Sequence, residues 1–158
     1  MKHLIAGLTS LFPVLGMVSP QPVGKGDIAA VTRVLTDYYN AFSTLDVQAI
    51  LPYYHEPSLL IAPGGVAAMP THAALAATFT PAMEGLRARG YAGSELSMLH
   101  VKGLSGTTTL ASGIAIRYKA DGQELERAGV TYLLHKTHRG WKIAALVVHD
   151  ADSVLRLD

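Results

Sequence analysis

The stretch Leu125-Glu126-Arg127-Ala128-Gly129-Val130-Thr131-Tyr132-Leu133-Leu134-His135-Lys136-Thr137 decides the fold. It reads as a β-strand, in which alternate side chains point to opposite faces. One face presents Ala128, Val130, Tyr132 and Leu134, and the other presents Gly129, Thr131 and Leu133. A sheet with one solvated face alternates apolar with polar residues, so apolar groups of both parities imply cover on both faces.

Strands flank this one on each side. Ser94–Lys102 and Thr107–Lys119 precede it, and Trp141–His149 follows. The connections Gly103-Leu104-Ser105-Gly106, Ala120-Asp121-Gly122 and His138-Arg139-Gly140 are short and supply the glycines that hairpin turns need for positive φ. Successive hairpins predict an antiparallel meander. Before it the texture is helical. Asp27 is placed to cap a first helix, whose apolar stripe is Ile28, Val31, Leu35, Tyr38, Tyr39 and Phe42. Asp46 caps a second that runs to about Tyr54 and is weakened by Pro52. Leu59-Leu60-Ile61 reads as a strand that turns at Pro63-Gly64-Gly65, and Val66–Met69 pairs back on it. Thr71 opens a third helix striped by Ala74, Leu75, Thr78, Phe79, Met83 and Leu86, and Gly90 stops it. Helices grouped ahead of strands give an α+β fold: three N-terminal helices packed on a curved antiparallel sheet. Those helices cover one sheet face. The other is expected to meet a second copy of the chain, making a homodimer through the sheet.

The ends of the chain are read separately from this domain, which spans residues 27–150. Residues 1–26 hold Lys2 and His3, an apolar run from Leu4 to Val18, and a Pro/Gly exit. Two readings stay open for them: a secretory signal, implying export to the periplasm, or a flexible N-terminal extension on a cytoplasmic protein. The run falls short of the roughly 20 apolar residues of a transmembrane helix, so no integral membrane segment is expected. Residues 151–158 form a C-terminal tail.

Composition removes several function classes. Of 158 residues, 49% are hydrophobic and 16% charged, with a net charge of +1 and no basic run. A sizeable core follows, and nucleic acid is not an expected partner because phosphates call for clustered Lys and Arg. The chain holds no cysteine, which excludes disulfides, thiolate metal ligands and cysteine nucleophiles. The seven histidines are scattered, and His135 and His138 lack a carboxylate or thiolate companion, so no metal is expected. No G-x-S-x-G elbow, P-loop or dinucleotide glycine fingerprint occurs, and no cofactor is expected.

The run from Asp37-Tyr38-Tyr39-Asn40-Ala41-Phe42 to Ile50 resembles the opening of nuclear transport factor 2-like, or SnoaL-like, domains. Tyr53-Tyr54-His55-Glu56-Pro57 leading into an apolar strand, and the final strand from Gly140-Trp141-Lys142-Ile143 to His149, extend the resemblance across residues 27–150. It points to a bacterial branch of that superfamily. It implies a cystatin-like α+β barrel: a cone, with the first helix across the concave sheet and a pocket between them. It implies no single reaction, since relatives include isomerases, dehydratases, cyclases and binding domains.

Candidate pocket residues are Tyr39, Tyr54, His55, His100, Tyr132 and His149. Ketosteroid-isomerase-like relatives pair a carboxylate base with a tyrosine oxyanion donor, which makes His149, Glu56 and Tyr39 the catalytic candidates. Each has a plainer reading. Inward tyrosines of a helix usually pack. Glu56 before Pro57 suits a solvated turn, and His149 suits a hydrogen-bonded structural role. Strict alternation puts His149 with Trp141, Ile143, Ala145 and Val147, and puts Asp150 on the opposite side, which splits a His–Asp dyad. Arg117 suits an acidic ligand if its face is concave and suits solvent or an interface otherwise, while Glu124, Glu126 and Arg127 read as a charged hairpin end. Two functions follow as expectations. One is a domain binding a small apolar or weakly polar molecule. The other is a cofactor-free isomerase, dehydratase or cyclase with a His or Glu as general acid/base.

Overall fold

The structure, a computed structural model, describes residues 22–156, so the candidate signal segment lies outside the described residues through position 21. Helix α1 covers Lys25–Ser43 and buries Val31, Leu35, Tyr38, Tyr39 and Phe42, the stripe that helical periodicity sets. Its cap differs from expectation. Gly24 occupies the N-cap position, and Asp27 lies one turn inside, where its carboxylate accepts from Lys136 Nζ at 2.6 Å and from Trp141 Nε1 at 3.4 Å. An acidic group in the first turn also suits the helix dipole. Asp27 therefore ties the start of α1 to the last hairpin. Asp46 does cap α2 (Val47–Ile50), accepting from Gln48 N at 2.9 Å. Pro52 turns the chain into a short 3₁₀ segment, Leu51–Tyr53, so Tyr54 opens a strand where the pattern had made it the end of a helix.

The strands are β1 (Tyr54–Ala62), β2 (Gly65–Met69), β3 (Tyr91–Ser105), β4 (Thr108–Lys119), β5 (Glu124–Thr137) and β6 (Gly140–His149). Between β2 and β3 runs α3 (His72–Ala88), capped by Thr71, which accepts from Ala74 N at 3.2 Å. The six strands lie in the order β2-β1-β6-β5-β4-β3. The expected meander holds through β3, β4, β5 and β6, but the sheet is mixed and not wholly antiparallel, because β1 pairs parallel with β6. Turn residues specify only neighbouring strands. The β1–β6 pairing is made across most of the domain, after α3 has carried the chain to the far edge of the sheet.

Helices α1 and α3 cover the concave face, and the core lies there: Val31, Leu35, Ile50, Leu75, Tyr132, Leu134 and Ile143 are 0–1% exposed. Cross-strand pairs identify the members of this face: Ala111 opposes Tyr132, Ala115 opposes Ala128, and Arg117 opposes Glu126. On the convex face, part of the cover comes from the chain itself. The tail beyond β6 crosses it, and Leu155 N donates to Ser112 Oγ at 3.1 Å. Leu59 and Leu133 remain about two-fifths exposed there, at 40% and 38%. Among the described residues no helix is long and apolar enough to cross a membrane.

Register shifts interrupt strict alternation in several strands, and those in β6 and β3 re-aim candidate residues. In β6, Ile143 opposes Leu134 and Ala145 opposes Leu133, which leaves Ala144 as an extra residue. Trp141 and Ile143 therefore share the concave face with Leu146 and Val148, while Ala145, Val147 and His149 turn outward. In β3, the register slips between Ser97 and His100, with Met98 at φ 50°. Leu96 consequently faces inward opposite Ala115, and His100 faces outward opposite Ser112.

Candidate functional site

Small residues on the concave strands leave space beneath α1. Ala115, Ala128 and Val130 face Tyr38, Tyr39 and Phe42 of α1 and Phe79 and Ala82 of α3 across a cavity of about 260 Å³. Leu60, Leu146 and Val148 complete its apolar wall. Two tyrosine hydroxyl pairs contribute polarity, and Tyr38, Tyr39 and Tyr132 of these line the cavity. Tyr39 and Tyr132 share a hydrogen bond of 2.9 Å, and Tyr38 and Tyr54 share one of 3.0 Å. The Tyr38 ring sits amid the other three at edge-on centroid distances of 5.5–6.2 Å. Burial pushes the Tyr38 hydroxyl up to about 12, although the Tyr54 hydrogen bond and the Arg117 charge oppose it. The same desolvation raises Tyr39, Tyr54 and Tyr132. All four are neutral near pH 7. In each pair one O–H donates to the other oxygen, so the second O–H stays available. The Tyr39–Tyr132 pair lines the cavity and can offer that donor to a ligand.

At one edge of the cavity stands a charged group that joins Arg117, whose face is the concave one, to Glu126, expected at a charged hairpin end, and to Arg89. Arg117 Nη1 donates to Glu126 Oε1 across the β4–β5 ladder, and Arg89 Nη1 holds the other carboxylate oxygen. The Arg117 guanidinium lies 5.4 Å from the centroid of the Phe42 ring. Burial alone would raise the Glu126 carboxyl, but its bonds to Arg89 and Arg117 outweigh that and hold it below the ordinary value of 4.5. Because the folded-state value is depressed, Glu126 contributes stability above its unfolded value, and that contribution is lost as pH falls. Glu126→Gln is therefore expected to flatten the acid side of the stability profile, between about pH 5 and 3, with the loss read by urea denaturation at each pH. An unchanged acid limb would show that the two arginines do not set the titration of Glu126. The signal for this group was the parity of Gly113, Ala115 and Arg117. Small residues flanking an arginine mark a concave face with room above it.

The remaining sequence candidates lie elsewhere. His149 stands on the convex face because of the Ala144 bulge, so it does not enter the cavity with Tyr39 and Tyr132. Its Nε2 is 2.9 Å from Thr131 Oγ1, which is 2.9 Å from Ser112 Oγ, and its Nδ1 is 2.9 Å from the Asp150 carbonyl. One direction of donation satisfies them all: Leu155 N–H to Ser112, Ser112 to Thr131, Thr131 to His149 Nε2, and His149 Nδ1–H to the carbonyl. Gly129 lies directly beneath, where a Cβ would come within 2.3 Å of the imidazole. His100 is also outside, beside Met98, Ile114 and the tail residues Asp152 and Val154. His55 and Glu56 open into a separate basin near the β5–β6 hairpin, where Glu56 accepts from the backbone N–H of His72. Tyr54 lines that basin too, its hydroxyl reaching back to Tyr38. Thus Tyr39 and Tyr132 come together at the cavity, Tyr54 joins them through Tyr38, and none of the three histidine candidates lines it. Among the described residues, no group of three His, Asp or Glu side chains is arranged to hold a metal ion.

Residues 28–151 match a family described as NTF2-like protein (DUF6841). Solved structures carry the same fold at low identity. An NTF2-like protein with a cystatin-like fold from Novosphingobium aromaticivorans is 18% identical, with a TM-score of 0.68 over 81% of this chain and 84% of that one. Aln2 from a Streptomyces species gives 18% and 0.68 over 84% and 96%. An NTF2-like protein of unknown function from Shewanella oneidensis gives 21% and 0.62 over 77% and 98%. No curated protein matches the chain.

Proposed function

The chain belongs to this NTF2-like family, and on that footing we propose that it is a binding domain for one small, largely apolar molecule held between α1, α3 and the sheet. The observation that carries this reading is the buried Tyr39–Tyr132 hydroxyl pair in a cavity with mainly apolar walls and the paired Arg117 and Glu126 at its edge. A pair with one O–H to spare suits a ligand carrying a carbonyl, ether or hydroxyl oxygen. The volume of about 260 Å³ lies below the roughly 300–1,000 Å³ of drug-sized sites, which favours a compact ligand. The charges at its edge are already paired, which favours a weakly polar ligand over a strongly acidic one.

The second reading, a cofactor-free isomerase, dehydratase or cyclase, needs a proton acceptor in the cavity. Glu126 is the carboxylate that lines it, and two arginines keep it a weak base at neutral pH. An effective general base titrates near the working pH. The binding reading is therefore preferred. It also includes a homodimer through the convex face, supported by Leu59 and Leu133, which stay partly exposed on that face beside the chain's own tail.

Mass spectrometry of protein purified from its own host, under conditions that release bound molecules, tests the first part. A stoichiometric compound is expected. The absence of both a released compound and binding of an apolar dye would sink it. Sedimentation tests the second part: a strict monomer at micromolar concentration removes the dimer and leaves the cavity reading standing.

A further inference from the structure

The basin at the end of the sheet has a chemistry unlike that of the cavity. It is open, with a volume of about 780 Å³, and forms where the β5–β6 hairpin meets the 3₁₀ segment and the start of β1. Four histidines (His55, His72, His135 and His138) line it together with Arg139 and Lys142. His135 and Lys142 are cross-strand partners, and the His55 and His135 rings lie 5.7 Å apart. One carboxylate, Glu56, lines the basin, and it is engaged by the His72 backbone N–H, with His72 Nδ1 3.9 Å away. Among the described residues neither Arg139 nor Lys142 makes an ion pair. Lys142 Nζ donates to the Pro52 carbonyl, which occupies one of its three N–H groups. Burial first, and then the neighbouring Arg139 charge, hold its ammonium below the ordinary value. Two cations thus line one basin, beside the His135 and His138 rings, with no carboxylate paired to either among the described residues. His55 Nδ1 and His72 Nε2 are engaged with the Pro57 and Tyr54 carbonyls. Among the described residues no group of three His, Asp or Glu side chains converges there as a metal-ligand set.

We propose that this basin binds a small soluble ligand through a tetrahedral oxyanion, a phosphate or phosphate ester, held by Arg139, Lys142 and the His135 and His138 rings. Charge-assisted donors from several directions suit such a group, and its negative charge relieves the repulsion between the two cations. The site is independent of the cavity reading, because neither cation and none of the histidines lines the cavity.

Titration of the full chain with inorganic phosphate, followed through the histidine ring signals by NMR, tests the proposal. Saturable shifts of His55, His135 and His138 are expected, with no saturable shift from chloride at matched ionic strength. Arg139→Gln/Lys142→Met is expected to weaken phosphate by about 10–100-fold, while leaving the cavity's affinity for an apolar dye unchanged. Arg139→Gln alone, at an exposed position, serves if the double variant does not fold, with a smaller loss expected. Phosphate behaving like chloride, or either folded variant binding it as the parent does, overturns the proposal. So does saturation of the same rings by zinc, or retention on phosphatidic acid vesicles, without a response to soluble phosphate.

Discussion

Truncation of Tyr132 to alanine is expected to lower the unfolding free energy by about 3–5 kcal/mol, the usual cost of removing a large buried aromatic side chain. Tyr132 is 1% exposed, stacks edge-on against Tyr38 and bonds to Tyr39 through its hydroxyl. The loss therefore combines transfer, cavity and hydrogen-bond contributions. Tyr132→Phe separates them. It removes one oxygen and leaves the buried Tyr39 hydroxyl without its partner, at a cost of about 1–3 kcal/mol. Adding Tyr39→Phe removes the stranded group, and replacing both partners by apolar rings of the same shape can be nearly neutral. The double variant is thus expected to be more stable than the sum of the two singles. Urea denaturation of the four proteins measures the coupling. Strictly additive losses would mean that the hydroxyls are not energetically paired.

A second large effect is expected on binding. Ala128 lies on β5 beside Val130 and lines the cavity opposite α1. In Ala128→Phe the ring enters empty space and competes with the ligand for a volume of about 260 Å³. Affinity for an apolar dye is expected to fall by about 100-fold or more, roughly 2.8 kcal/mol. Stability is expected to change by less than the roughly 1–3 kcal/mol of overpacking a filled core, because the cavity accommodates the added atoms. Fluorescence titration reads the first effect and urea denaturation the second. Wild-type dye affinity in a folded Ala128→Phe protein would locate dye binding elsewhere on the molecule.

Local patterning carried much of the fold. The stripes of α1 and α3, the Asp46 and Thr71 caps and the turns at Gly122 and Gly140 all rest on contacts within a few residues, and they stand where the pattern puts them. Gly103-Leu104-Ser105, by contrast, extends β3 instead of turning. The break at Pro52 was equally legible, since proline removes a donor and hinders a helix wherever it occurs. Asp27 was misassigned because a carboxylate near a helix start has two uses. Lys136 and Trp141, brought alongside by the last hairpin, selected the second.

The candidate site was less legible, and for one reason. A cavity residue is defined by its face, and a single inserted residue reverses the face of everything beyond it in a strand. Alternation was reliable along β5, where Ala128, Val130, Tyr132 and Leu134 do face inward. It failed in β6 after Ala144 and in β3 at Met98, so His149 and His100 lie outside. Glu126 reads from the sequence only as part of a charged hairpin end, because its significance depends on Arg117 across the ladder and Arg89 at the end of α3.

The sequence by itself determined the α+β class, the order of helices and strands, the inward stripe of β5 and the absence of cysteine chemistry. Each follows from residue type and short-range spacing. Only the tertiary structure decided the parallel β1–β6 pairing, the outward turn of His149, the Arg89–Glu126–Arg117 group and the histidine-ringed basin. These depend on which distant segments meet and on bulges in the register. Short-range periodicity does not encode either.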